Sequence, residues 1–215
     1  MVSTPIGNLS DITYRALDTL READIMAVED TRRTRKLMQH YGIDNRLVAF
    51  HDMNKEKAAP GLLEMLRQGK DIALVSDSGT PGISDPAFYL VRECITLGIQ
   101  IIPVPGPSSL VSALVCSGLP TDRFMFLGFL PKKPGKLEKE IMALKGSGMT
   151  TVAFESPHRI KKTLAVMKKH IPDFNIVIAR ELTKKFEEFV RGRLADIADQ
   201  ERDYKGEIVL ILSRK

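Results

Sequence analysis

The stretch LVSDSGTPGISDPAF, residues 74–88, sets two aspartates, two glycines and two prolines between an apolar run and a helical pattern. A loop that only capped a helix would need no such density of carboxylates and glycines; ligand binding is the chemistry it suits. Comparable polar clusters recur. Glu29-Asp30-Thr31-Arg32, His51-Asp52 and Pro105-Gly106-Pro107-Ser108-Ser109 each follow a short apolar run, and so do Glu155-Ser156-Pro157-His158-Arg159 and Arg180-Glu181-Leu182-Thr183-Lys184 farther along. If those runs are strands of open sheets, every cluster lies at a carboxyl end, the edge where ligands bind. Each cluster also has a plain structural explanation. Residues 105–109 can turn the chain and cap a helix, residues 29–35 can be a solvated helix start, and the two later clusters can be charged strand ends. Their joint placement favours a site, and two such rims facing each other would form a cleft.

The elements that must position these clusters follow from hydrophobic spacing. Runs 23–28, 47–50, 72–75 and 99–104 are short and rich in Val and Ile, whereas 12–21, 33–41, 55–68, 87–97 and 109–117 carry apolar residues at helical intervals. Strands alternating with helices predict a parallel sheet covered on both faces. Residues 1–4 read as the end of a first strand whose upstream part is missing. After Ser117-Gly118-Leu119-Pro120 the rhythm changes, with strands expected at 124–129, 151–154, 176–179, 186–190 and 207–212 and helices at 136–144, 159–170 and 194–200. Strand 186–190 follows its predecessor too closely for a crossover helix, so the second sheet should be mixed. The expected fold is α/β throughout, with one domain over residues 1–118 and a second over 119–215. No internal repeat or low-complexity tract interrupts it.

The composition, 43% hydrophobic and 27% charged, is that of a globular protein. No apolar run approaches the roughly 18 residues that span a bilayer, and no signal peptide opens the chain, so a cytoplasmic location without membrane attachment is expected. Cys94 and Cys116 lie in apolar helical patterns and read as buried thiols, and the four histidines show no ligand spacing, so no metal is expected. Residues 1–118 carry 12 Lys+Arg against 14 Asp+Glu, and residues 119–215 carry 20 against 13. The basic second half is compatible with a polyanion on one face. The glycine fingerprints of dinucleotide and P-loop sites, the nucleophile elbow and the H-E-x-x-H zinc motif are all missing.

Taken together, STPIGNL at 3–9, EDTR at 29–32, SDSGTP at 76–81 with SDP at 84–86, PGP at 105–107, ESPHR at 155–159 and ARELTK at 179–184 resemble the tetrapyrrole methylase superfamily. Within it they most closely resemble the ribosomal RNA small subunit methyltransferase I branch, and the six ordered motifs cover essentially the whole chain. The resemblance implies two α/β domains with S-adenosylmethionine (SAM) in the cleft between them, and a homodimer. It implies 2′-O-methylation of a cytidine in the decoding region of 16S ribosomal RNA within the small ribosomal subunit. It also implies that Pro5, Asp77, Gly79, Thr80, Pro81, Asp85, Pro105 and Gly106 form the first-domain wall of the cofactor site, with Phe154, Glu155 and Leu182 in the second-domain wall and Gly206 near the adenine. On this reading the glycines let main chain approach SAM, Pro81 stiffens the loop, and Asp77 or Asp85 holds part of the cofactor.

Methyl transfer to a ribose hydroxyl needs alignment first and a proton acceptor second. Asp30, Glu181 and His158 are the candidate acceptors, Asp30 foremost, and Arg32, Arg159, Arg180 and Lys184 are expected to position phosphate. Two departures stand out. The wider superfamily has Gly-Asp-Pro where this chain has Gly79-Thr80-Pro81, which argues against a porphyrin or corrin substrate, and longer members carry a small extension beyond the position of Lys215. The rival readings are a tetrapyrrole carbon methyltransferase and a non-enzymatic RNA-binding assembly factor. With no Trp and 6% aromatic residues, contact with RNA is expected through phosphates and shape more than through stacked bases.

Overall fold

The computed structural model describes residues 1–214. Contacts gather the chain into two units, Met1–Ser108 and Ser109–Lys215. In the first, β1 (Ile25–Val28) lies between β2 (Leu47–Ala49) and β3 (Ile72–Val75), and both pairings are parallel. Parallel pairing needs crossover helices, and α2 (Thr31–Tyr41) and α3 (Lys55–Arg67) supply them between β1 and β2 and between β2 and β3. Helix α1 (Tyr14–Glu22) precedes β1, and α4 (Ala87–Thr96) follows β3.

All four residues of β1 are buried, as a strand covered on both faces requires. Met26 and Val28 pack with Ala16 and Leu20 of α1 and Met38 of α2. Ala27, one residue out of phase, packs with Ala59 and Leu62 of α3 and Leu90 of α4.

Residues 1–4 extend this sheet beyond β3. The Val2 amide donates to the Leu74 carbonyl at 2.9 Å, the Ser3 amide to the Val104 carbonyl at 3.1 Å, and the Val104 amide to the Met1 carbonyl at 2.8 Å. The strand expected over 99–104 reduces to one parallel bridge, Val2 to Val104. Thr4 turns away from this pairing to bridge Gly79, which ends the ladder after Val2.

The second unit holds β4 (Phe124–Phe129), β5 (Thr150–Glu155), β6 (Asn175–Arg180), β7 (Glu188–Arg193) and β8 (Ile208–Ser213) in the order β4-β5-β8-β6-β7. β4 and β5 are parallel, and the other neighbours are antiparallel, so the sheet is mixed as the short 180–186 connection predicts. β7 begins at Glu188 because the Glu187 amide donates to the Lys184 carbonyl at 3.0 Å, closing a turn that takes Phe186 out of the strand.

Helices α6 (Pro134–Ala143), α7 (Ile160–His170) and α8 (Leu194–Ala198) share one core with this sheet, where Ile141, Leu164, Met167 and Ile197 meet Ile178 and Leu210. Helix α5 (Ser109–Val115) packs against β8 and β5, which is why residues 109–118 group with the second unit although the change of rhythm comes only at 118.

Cys94 is buried in the α3–α4 core, but Cys116 is exposed, contrary to the sequence expectation: α5 ends at Val115, so the thiol lies past the packed face of the helix. Among the described residues no helix is long and apolar enough to cross a membrane, and no group of three or more His, Cys, Asp or Glu side chains could hold a metal ion.

Helix α3 contains Pro60 in its interior. Proline has no amide to donate to the Glu56 carbonyl, and its ring crowds that carbonyl. Pro60→Ala should therefore raise the denaturant midpoint with an unchanged slope, by about 1 to 3 kcal/mol after allowing for the looser unfolded chain; a lower midpoint would contradict this account of α3.

Candidate functional site

In the first unit the chain leaves β1 toward β2 on one side and returns to β3 on the other, so the carboxyl ends of β1 and β3 mark the switch point of the sheet. Two hydrogen bonds tie those ends together. The Asp30 amide donates to Asp77 Oδ1 at 2.9 Å, and the Asp77 amide donates to Glu29 Oε2 at 3.3 Å. Asp30 also caps α2, accepting from the Arg32 amide at 2.8 Å, from Arg32 Nε at 3.1 Å and from Arg32 Nη2 at 2.8 Å. That partnership with Arg32 holds the Asp30 carboxyl well below the usual carboxylate range. Arg33 Nη1 lies 3.4 Å from Asp77 Oδ2. Glu29 is pushed the opposite way. Burial raises its pKa, the Asp77 amide opposes the rise, and the charges of Asp77, Asp85 and Asp52 add to it.

The 76–86 loop is braced from within the same unit. Gly79 exchanges two main-chain hydrogen bonds with Thr4, each 3.0 Å, at φ +77°. A Cβ there would sit 3.3 Å from Ile6 Cγ2, so the glycine serves the backbone conformation and a close approach. Thr80 Oγ1 accepts from Ser3 Oγ at 3.1 Å and donates to the Pro107 carbonyl at 3.2 Å. Asp85 accepts from the Gly82 amide at 2.7 Å and the Ala87 amide at 2.9 Å, which closes the loop and starts α4. Ser84 between them is held at φ +73°. Pro81 is buried, Pro5 is half-buried, and Pro105 and Gly106 are exposed. Among the described residues, the buried Thr4 Oγ1 beside this loop has no hydrogen-bond partner.

A cavity of about 340 Å³ in this unit is lined by Ala23, Asp71, Ile72 and Cys94. It lies toward the amino ends of β1 and β3 and has no part in the rim.

In the second unit the sequence-predicted residues divide between structural and exposed positions. Glu155, whose side chain has no exposed surface, accepts from the Ser156 amide at 2.6 Å and Thr163 Oγ1 at 2.5 Å and pairs with Arg159 Nη2 at 2.5 Å. Arg159 spends its other arm on the Leu130 carbonyl at 3.1 Å. Arg180 Nε bonds Glu188 at 2.7 Å, and Lys184 Nζ bridges Glu181 at 3.0 Å and Glu207 at 2.9 Å.

Glu181, at φ +49°, also accepts from the Glu207 amide at 3.0 Å. Burial opposes its ionisation, but that amide and Lys184 outweigh it and leave the carboxyl below its ordinary value. Gly206, at φ +83°, is where Glu181 comes closest: a Cβ there would fall 2.2 Å from the Glu181 carboxyl carbon. Leu182 is buried, Phe154 is half-buried, and His158 is exposed.

The sequence profile of the tetrapyrrole (corrin/porphyrin) methylases matches residues 1–198. The protein named ribosomal RNA small subunit methyltransferase I from Halalkalibacterium halodurans is 46% identical over 99% of this chain and 74% of its own length. The protein of the same name from Thermotoga maritima is 45% identical over 100% of this chain and 97% of its own length. The chain belongs to the tetrapyrrole methylases, in the ribosomal RNA small subunit methyltransferase I branch. Solved structures agree on the fold. Diphthine synthase superposes with a TM-score of 0.73 at 18% identity, covering 99% of this chain and 88% of that one. Uroporphyrin-III C-methyltransferase from Thermus thermophilus, complexed with S-adenosyl homocysteine, superposes with a TM-score of 0.69 at 18% identity, covering 99% and 95%.

In this tetrapyrrole methylase the first-unit motifs converge on one rim, whereas Glu155, Arg159, Arg180 and Lys184 are engaged in ion pairs inside the second unit. Glu29 is the rim residue that sequence reading passed over. Its signal was present, since it is the first charged residue after the wholly apolar strand at the switch point. The contact between Gly206 and Glu181, by contrast, depends on two αL backbones that sequence does not announce. Gly206→Ala should destabilise the protein by about 1 to 3 kcal/mol, because the strained φ and the displaced carboxylate act together. In the Gly206→Ala/Glu181→Ala double variant part of that loss should disappear, measured by chemical denaturation as a double-mutant cycle. Additive losses would separate the two residues.

Proposed function

We propose that this chain is a SAM-dependent ribosomal RNA methyltransferase that places a methyl group on the 2′-oxygen of a cytidine in the decoding region of 16S ribosomal RNA. It acts on the small ribosomal subunit in the cytoplasm, as a homodimer and without a metal. The observation that carries this reading is the 43% and 46% identity, over 99% of the chain, to proteins named ribosomal RNA small subunit methyltransferase I. Tetrapyrrole-methylating neighbours share the fold at 19% and 18% identity, a likeness of architecture alone.

The first-unit rim suits the cofactor. Thr4 Oγ1 is a buried hydroxyl with no partner among the described residues, and Asp77 keeps about a quarter of its side-chain surface exposed. Pro5, Gly79, Thr80, Pro81, Pro105 and Gly106 frame that corner, and Asp85 holds the loop's shape. In the second unit Leu182 is buried and Phe154 half-buried, Glu155 holds the chain after Phe154, and Gly206 makes room for the Glu181 carboxylate. SAM, when bound, supplies a methyl group activated on a sulfonium.

The protein's own task is to align the ribose oxygen and take up its proton. Asp30 has both carboxylate oxygens on Arg32, and Glu181 is acidified by Lys184 and the Glu207 amide, so each is a weak base where it stands. Glu29 has the opposite electrostatics and sits at the same rim, which supports it as proton acceptor ahead of Asp30, Glu181 and the exposed His158. Arg32, with 85% of its side chain exposed, is the rim cation best disposed toward phosphate. Arg159, Arg180 and Lys184 act by fixing the second rim.

Small subunits from a strain lacking this methylation should accept labelled methyl from SAM when incubated with the protein, and a short naked oligonucleotide of the target should accept far less. In single-turnover assays Glu29→Gln should lower the rate by about 10² to 10⁴, the usual range for a general base. Because only the ionised base is competent, the wild-type rate should fall as pH is lowered, along a limb displaced upward from that of an ordinary glutamate, and the variant should lose that limb. Rates within a few-fold of wild type for Glu29→Gln, Asp30→Asn, Glu181→Gln and His158→Asn would leave alignment as the whole of the protein's contribution. Absence of transfer to any subunit would overturn the reading itself.

A further inference from the structure

Aromatic residues are scarce in this chain, yet four of its nine phenylalanines, Phe88, Phe124, Phe129 and Phe186, are exposed. Phe129 is set apart by how it is held. β4 and β5 run in register from Phe124 opposite Thr150 to Phe126 opposite Val152, and then the register shifts so that Phe129 stands opposite Phe154. Leu127 and Gly128 therefore face Ala153 alone, and Gly128 takes φ +63°.

In an unbroken ladder Phe126 and Phe129, three residues apart, would point to opposite faces of the sheet, since side chains alternate with period two; the bulge removes that offset. With it they share a face, and both make edge contacts with the Phe154 ring, at centroid distances of 4.9 and 5.4 Å. A bulge re-aims a side chain at a local cost and is common next to working sites.

The next residue locks the arrangement. Leu130 is buried, its amide donates to the Phe154 carbonyl at 3.2 Å, and its carbonyl accepts from Arg159 Nη1 at 3.1 Å. Phe129 nevertheless keeps 60% of its surface exposed. Just beyond, Lys132, Lys133 and Lys136 are exposed and make no ion pair among the described residues. Lys161, Lys168, Lys169 and Lys184 of the same unit have carboxylate partners, whereas these three, close together in the chain after Phe129, share their unpaired state with other surface lysines such as Lys139 and Lys162.

We propose that Phe129 is a stacking platform for an unpaired base of the RNA substrate and that Lys132, Lys133 and Lys136 neutralise the phosphates on either side of it. This rests on the ribosomal RNA reading above and names how part of that substrate is gripped. A rigid aromatic face beside unpaired cations is the combination by which single-stranded RNA is held with little dependence on sequence. Charge complementarity selects a nucleic acid over an apolar partner, because such a partner would leave three lysines facing it unmatched.

The test measures affinity for small subunits lacking the methylation, KM and single-turnover rate, alongside SAM affinity by calorimetry. Phe129→Ala should weaken subunit binding and raise KM by about 10-fold or more, with the saturated single-turnover rate and SAM affinity within a few-fold of wild type. Phe129→Tyr should restore binding, since the stacking face returns. Lys132→Gln/Lys133→Gln/Lys136→Gln should flatten the dependence of binding on salt, each lost phosphate contact reducing the log–log slope by roughly 0.7 to 0.9.

Unchanged subunit affinity in Phe129→Ala, with wild type active, would overturn the proposal and leave the ribosomal RNA reading intact. So would loss of SAM binding without loss of subunit binding, or conversion of a dimer to monomers in sedimentation. A wild type that neither binds nor methylates subunits would instead bring down the reading on which the proposal rests.

Discussion

The exchange of hydrogen bonds between the ends of β1 and β3 is the constraint on which the rest of the first unit depends. Two carboxylates, Asp77 and Glu29, each accept a main-chain amide from the opposite strand end, which fixes the switch point of the sheet without calling on any side chain from another layer. The arrangement crowds acidic groups, and the crowding is felt unequally. Asp30 is relieved by Arg32 and by the amides that open α2, whereas Glu29, partly buried and facing three other acids, holds a proton more readily than a free carboxylate does. One rim thereby holds two neighbouring carboxyls pushed in opposite directions, a division made by environment alone. The loop that follows β3 is then pinned by Thr4 and Ser3 from the neighbouring extended segment and by the turn that Asp85 closes.

The second unit solves a different problem with the same chemistry. Glu155 is a charge with no exposed surface, tolerable because Arg159, the Ser156 amide and Thr163 satisfy it fully. Glu181 is kept in place by Lys184, the Glu207 amide and the missing side chain of Gly206. Arg159, held by Glu155, also ties down the Leu130 carbonyl next to the exposed Phe129.

Most of the architecture was legible because periodicity reports burial. β1 and β3 are short apolar runs, the helices between them repeat at 3.6 residues, and the brief connection before β7 dictates an antiparallel pair. What escaped has specific causes. The run at 99–104 has strand composition but pairs at a single bridge, because its partner turns to Gly79 at Thr4, a non-local condition that no window of sequence contains. The role of Cys116 turned on where α5 stops, and element ends are the least determined feature of a helical pattern. At the site, residue types were legible but partnerships were not. Arg159, Arg180 and Lys184 read as phosphate contacts because cations beside a strand end look alike whether they face solvent or a carboxylate. Phe129 was hidden because a bulge of one residue changes the face of a side chain without changing the composition of its strand.

If the first-unit rim directs a methyl group from SAM to a ribose oxygen of small-subunit RNA, nucleoside analysis of the product will identify that oxygen. After reaction of the protein and SAM with small subunits that lack the modification, the RNA would be digested to nucleosides and separated by chromatography with mass detection. The expected product is one 2′-O-methylcytidine per subunit and no other new methylated nucleoside. A methyl group recovered on a base, or spread over several nucleosides, would contradict it.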